Sequence, residues 1–153
     1  MYLDEALDRL GIEKKSRKRI LFHELSKEKF SGGFGFYDPF FDVVRVFSTG
    51  GQVVSDHILA HELEHRKQRR RLFELLLKLE LEPRAEEETL KRLSELEAKY
   101  PNVGYGKYRA GLIERIKAYQ DGRFGYSDKP IRRVMEIIRN KIYFEKINLG
   151  NLD

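Results

Sequence analysis

Residues 55–65 read Ser55-Asp56-His57-Ile58-Leu59-Ala60-His61-Glu62-Leu63-Glu64-His65, and the fold of the rest follows from how this stretch is disposed. Ser55 suits a helix N-cap, and Asp56 suits the positive end of a helix beginning there. Residues advance by about 100° per position in a helix, so His61 and His65 lie one turn apart on one face. Two imidazole nitrogens so placed can reach one ion at about 2.0–2.1 Å, a distance that suits tetrahedral zinc, Zn2+. Glu62 projects beside them, near a water on that ion but rotated away from direct ligation. Leu59 and Leu63 fall on the opposite face and are expected to anchor the helix in the core. The run His61-Glu62-Leu63-Glu64-His65 matches the H-E-x-x-H pattern. Three of the four His sit within residues 57–65, a concentration that a solvated helix with incidental histidines does not explain.

A catalytic zinc normally keeps three protein ligands and an open position. The chain has no Cys and no His after His65, so the third donor is a downstream carboxylate, His57, or a group upstream. His57 shares the histidine face, yet three consecutive turns of one straight helix cannot wrap a tetrahedron. Lining the cleft or capping the helix suits it better. The downstream carboxylates form three groups. Glu86 to Glu88 open a helix, where acids favour the dipole. Glu95 and Glu97 belong to a highly charged helix and fit a solvated face. Glu114 sits amid Leu112, Ile113, Ile116 and Ala118, on a helix expected to pack inward, where it either ligates or pairs with Arg115 or Lys117.

Upstream, Leu3, Leu7 and Leu10 have helical spacing over residues 2–10, stopped by Gly11. Residues 19–25 read as a short strand, with a helical turn as the alternative. Residues 34–48 read as a β-hairpin with a turn signal at Asp38-Pro39 and a β-branched, aromatic second strand. The motif helix is expected to run on to about residue 80, where Pro83 breaks it. A second helix over about 84–99 carries Leu90, Leu93 and Leu96. Together these suggest a helical hairpin inserted at about 66–100. A helix over 108–120 and a last one from Pro130 follow. The expectation is one α+β domain, residues 1–153, with a small antiparallel sheet preceding the motif helix.

Charged residues make up 36% of the chain against a usual value of about 25%. With the lack of Cys and Trp, this suits a protein of a hot environment, where ion-pair networks help more. Disulfides, thiol catalysis and Cys-bearing metal sites are excluded. The N-terminus lacks a basic segment followed by an apolar run, and nothing approaches eighteen consecutive apolar residues, so a cytoplasmic address without membrane contact is expected. The net charge of +5 permits acidic partners without demanding them.

His61-Glu62-Leu63-Glu64-His65 with a later glutamate on a second helix resembles the gluzincin metallopeptidases, particularly the minigluzincins of archaea. The hairpin segment Phe36-Tyr37-Asp38-Pro39 with Val43-Val44-Arg45-Val46 is also similar to the one that SprT-like and ImmA/IrrE-like proteins place before their motif helix. The resemblance covers about residues 30–65 and 108–120. It implies a zinc peptidase that binds extended peptide along a strand edge, with Glu62 as general base; peptide hydrolysis also calls for a Tyr, His or Arg to steady the oxyanion, with Tyr105, Tyr108 and Tyr119 as candidates. It implies Glu114 as third ligand, although the family's E-x-x-A becomes Glu114-Arg-Ile-Lys117. Glu95-Leu-Glu-Ala98 fits that pattern better but is followed by Lys99 in place of an acid. Two other readings stand beside it. The basic run Arg66-Lys67-Gln68-Arg69-Arg70-Arg71 could contact nucleic-acid phosphates. The tail from Tyr126 to Asp153 could cover the cleft and keep the protein latent, with Asp128 or Asp153 at the metal.

Overall fold

Val44, Val46 and Phe47 are completely buried, and the strand that carries them takes the centre of the sheet. The computed structural model describes residues 2–77 and 80–120, and singly positions 135, 138 and 139. Over the described residues the fold is α+β. Helix α1 (Tyr2–Arg9) leads through a short 3-10 turn to strand β1 (Ile20–Glu24), then β2 (Gly33–Asp38) and β3 (Val43–Ser48). Strands β2 and β3 form the expected antiparallel hairpin, with Gly33 opposite Ser48 and Asp38 opposite Val43. The sheet as a whole is mixed, because β1 pairs parallel to β3, from Ile20 opposite Val44 to Glu24 opposite Ser48. The link over residues 25–32 crosses past the central position, which the more apolar β3 occupies. Among the described strands, β2 thereby stands last in the order β1-β3-β2.

Helix α2 (Gln52–Gln68) begins earlier than the Ser55 cap expected, with Gly51 as its extended N-cap. Gly50, at φ 98°, turns the chain from β3 straight into the helix, and Ser55 instead bonds its hydroxyl to that of Ser48 inside. The long helix expected to reach residue 80 ends at Gln68. A 3-10 turn over Arg69–Arg71 and a short α3 (Leu72–Leu77) follow. There Arg66 and Arg69 donate to backbone carbonyls of neighbouring segments, while Arg71 pairs with Glu74. Helix α4 (Leu81–Lys99) contains Pro83 in its first turn, where a missing N–H costs no intrahelical bond. Pro83 therefore opens this helix within its first turn. Leu93 and Leu96 enter the core with Leu59 and Leu63 of α2. The second helix of the expected hairpin thus packs against α2. Helix α5 (Tyr105–Gln120) completes the described chain. The expected helix from Pro130 and the tail lie outside the described residues, apart from the three single positions.

A buried polar node joins α1, α2 and α5. Arg9 holds Asp56 through two hydrogen bonds of 2.9 Å, and the Tyr105 hydroxyl donates to the same carboxylate at 2.6 Å. The node sits one turn before the histidines and fixes the rotation of α2. No helix among the described residues is long and apolar enough to cross a membrane.

Candidate metal centre

Helix α2 presents His61 and His65 on the flank that faces the first turn of α4. The two Nε2 atoms are 3.1 Å apart, and Glu82 Oε2 lies 3.0 Å from His61 Nε2 and 3.3 Å from His65 Nε2. Metal–ligand bonds of about 2.0–2.1 Å in a tetrahedron separate donors by about 3.3 Å, so this triangle has the dimensions of one face of such a site. The donor cluster is compatible with a metal ion.

The far side of each imidazole is held as well. Gln68 donates its Nε2–H to the Leu81 carbonyl at 2.9 Å, which turns its Oε1 to His65 Nδ1 at 2.8 Å. His65 therefore carries its proton on Nδ1 and offers the Nε2 lone pair to the cluster. His61 Nδ1 lies 2.7 Å from Glu86 Oε1, off the line of a straight hydrogen bond, so charge carries this contact. Glu86 in turn meets His57 Nε2 at 3.4 Å, and His57 Nδ1 is 2.6 Å from the Tyr108 hydroxyl. His57, His61 and Glu86 also bring donor atoms together. Two features distinguish the two groups. The second group is wholly buried, whereas His65 and Glu82 keep some exposure for an open position. Its 2.7 Å separation is also too short for two ligands on one tetrahedral ion.

Without an ion, protons hold the cluster together. Burial disfavours the His61 imidazolium, but Glu82 and Glu86 outweigh it and hold its pKa well above the usual histidine range. His65 is raised in the same way, burial being overcome chiefly by Glu82. Burial alone would lift both carboxylates, yet the histidines win: Glu82 falls well below its usual value, and His57 and His61 take Glu86 down to about 2. Glu62 behaves differently. Burial raises its pKa more than His61 and His65 lower it. Among the described residues it accepts no hydrogen bond. It lies under β2 at Gly35, where a Cβ would come within 2.7 Å of Glu62 Cγ and of Ile58 Cγ2. The strand can pass this close only because it has no side chain there.

The structure brings His61, Glu62 and His65 together as expected and does not bring Glu114 to them. Glu114 is exposed on α5 and belongs to neither donor group among the described residues. Helix α5 turns a narrow stripe inward: Leu112 is buried, while Ile113 and Glu114 face outward. Glu95 is exposed, and Glu97 pairs with Arg109 at 3.2 Å. Glu86 reaches the centre as a support, while Glu87 and Glu88 point to solvent. Glu82 and Gln68 were missed. A signal existed, since Glu82-Pro83-Arg84-Ala85-Glu86 reads E-x-x-A followed by an acid. Ala85 is fully buried, so α4 can approach α2 closely with Glu82 and Glu86 one turn apart on the facing side. Of the tyrosines, Tyr105 is spent on Asp56, Tyr108 touches His57, and the Tyr119 side chain lies outside the described residues.

The basic run is largely occupied. Arg66 donates to the carbonyls of Ser16, Lys18, Arg19 and Asp42, Arg69 to that of Pro39, Lys67 pairs with Glu64 and Arg71 with Glu74. A cleft of about 440 Å³ opens between α2 and α5 beside His57 and Tyr108. No family model matches the sequence, and neither a curated protein nor a solved structure matches the chain.

Proposed function

We propose that this protein is a zinc-dependent peptidase in which His61, His65 and Glu82 hold the metal and Glu62 is the general base. The observation that carries the reading is the convergence of three donors at 3.0–3.3 Å, with the far nitrogen of each imidazole already occupied. Two imidazoles and one carboxylate are a donor set suited to zinc. Bound zinc lowers the pKa of water from about 15.7 towards 7 and polarises a carbonyl. Glu62 supplies the rest. Its burial raises its proton affinity, which suits a carboxylate that takes a proton from water and returns it to a leaving amine. Its neighbour β2 stands last in the strand order β1-β3-β2, and the resemblance implies that an extended peptide lies along a strand of this kind. Gly35 keeps that strand close to Glu62. The resemblance to gluzincins agrees with this arrangement once Glu82 takes the ligand role that the resemblance gave to Glu114.

The test is Glu62→Gln with metal content and proteolysis of an unstructured protein measured side by side. Removing a general base should cost about 10²–10⁴-fold in rate while zinc is retained at wild-type stoichiometry. Undiminished proteolysis by this variant would refute the base assignment. A wild-type chain that takes up no zinc would refute the centre itself.

A further inference from the structure

The turn between β2 and β3 presents Phe40 and Phe41 to solvent, 58% and 60% exposed, although large aromatics are usually kept inside. Two amides and two carbonyls of the turn are bonded within the protein. Asp38 Oδ1 accepts the amides of Phe40 and Phe41 at 2.9 and 3.2 Å, and Pro39 has no amide hydrogen to satisfy. Arg69 donates to the Pro39 carbonyl at 3.1 Å, and Arg19 to the Phe41 carbonyl at 2.6 Å. Arg19 and Arg69, which reach the turn through these bonds, are exposed, and so are their chain neighbours Lys18 and Arg70. Asp42 approaches Arg69 only at 3.9 Å, and Lys18 and Arg70 have no carboxylate partner among the described residues.

We infer that this tip is a docking site for an anionic lipid surface, with Phe40 and Phe41 entering the headgroup–acyl boundary and the surrounding cations lying on the headgroups. Backbone that leaves water needs its polar groups satisfied within the protein, and the bonded amides of Phe40 and Phe41 lower that cost here. Aromatic rings favour the interface, and basic side chains are attracted by the negative potential of anionic lipids. Single-stranded nucleic acid is the competing occupant, since basic and aromatic groups also serve it. The shape of the site favours lipid. Single-stranded nucleic acid is tracked by a charged groove, whereas the two rings stand at the tip of the turn between β2 and β3. A diffuse surface potential asks for no more than charge. Since no helix among the described residues can span a bilayer, the contact is peripheral. This inference is independent of the metal reading.

The full chain contains no Trp, so Phe40→Trp installs a single reporter at the tip. Its emission should shift to the blue with phosphatidylcholine–phosphatidylserine vesicles and stay unchanged with phosphatidylcholine alone. In sedimentation with sucrose-loaded vesicles, the pair Phe40→Ser and Phe41→Ser should lower partitioning by about 10-fold. Lys18→Ser and Arg70→Ser should each lower it by about fivefold, with the effect fading at high salt. Circular dichroism matching the wild type keeps these variants interpretable. A chain that sediments with neither vesicle overturns the inference, as does equal partitioning of the Phe variants and wild type. An emission shift produced by oligothymidylate and not by vesicles would assign the tip to nucleic acid instead.

Discussion

At the scale of single residues, the centre is defined by what would be repulsive without a cation. His61 and His65 turn Nε2 atoms toward each other at 3.1 Å, and Glu82 adds a carboxylate oxygen to the same point. Lone pairs converge in this way only around a proton or a metal. Glu82→Ala removes one of three donors and should abolish stoichiometric zinc. Its loss should exceed the about 10–100-fold in affinity that removal of a group behind a ligand typically costs. Glu114→Ala should leave zinc content unchanged, because that side chain faces solvent on α5. Metal analysis of the two variants after dialysis decides between them, and zinc lost from Glu114→Ala alone would reverse the assignment. Gly35 makes a subtler demand. A methyl there would stand 2.9 Å from Glu62 Oε1 as well as 2.7 Å from two carbons, and overpacking of this kind costs about 1–3 kcal/mol. Gly35→Ala should therefore displace Glu62 or β2 and lower kcat, while zinc affinity stays near wild type because no ligand is touched. Steady-state kinetics beside a zinc titration reads both quantities; equal activity would place β2 further from the reaction than argued.

At the scale of elements, rigidity comes from the polar node behind the histidines. Asp56 is fully buried and its charge is matched by Arg9, itself only 13% exposed, and by the Tyr105 hydroxyl, whose pKa burial and Asp56 push up to about 12. Arg9→Ala leaves a buried carboxylate without its cation, for which the usual cost is about 3–5 kcal/mol. Denaturant unfolding of the metal-free protein should register that loss, and a change under 1 kcal/mol, within the range of about 0–1 for a surface pair, would mean that the node is solvated. The elements themselves were mostly legible from sequence: the leucine spacing of α1, the alternation in β3 and the glycines after it act locally. Pairing was less so. Nothing in Ile20–Glu24 announces a parallel partner, because register is set by which strand is most apolar and so takes the centre. Glu82, the proposed third ligand, was hidden for a related reason. Pro83 reads as a break when taken alone, but in a first helical turn it is compatible with helix, and that turn carries Glu82. The two histidines needed only the 3.6-residue period, whereas Glu82 needed the packing of α4 on α2, which fully buried Ala85 permits.

At the scale of the whole molecule, two walls, α2 and α4, are held together across the site by protons when no metal is bound, and this ties stability to pH. His61, raised well above 6.5 in the fold, contributes stability fully present below 6.5 and lost as pH climbs through its folded value. Glu86, lowered from 4.5 to about 2, contributes stability present above 4.5 and lost as pH falls towards 2. The windows overlap between 4.5 and 6.5, so the metal-free chain should be most stable there and weaken on either side. A metal replaces those protons, so binding must release them from His61 and His65, and affinity should fall about tenfold per pH unit for each proton displaced. Because both histidines are raised above 6.5, that fall should begin above the usual histidine midpoint as pH is lowered. Thermal unfolding of chelator-treated and zinc-loaded protein across this range should give two curves that converge in acid and separate with rising pH. Parallel curves would mean that zinc binds away from these histidines. A metal-free optimum at alkaline pH would mean that α2 and α4 are joined by something other than the protonated pair.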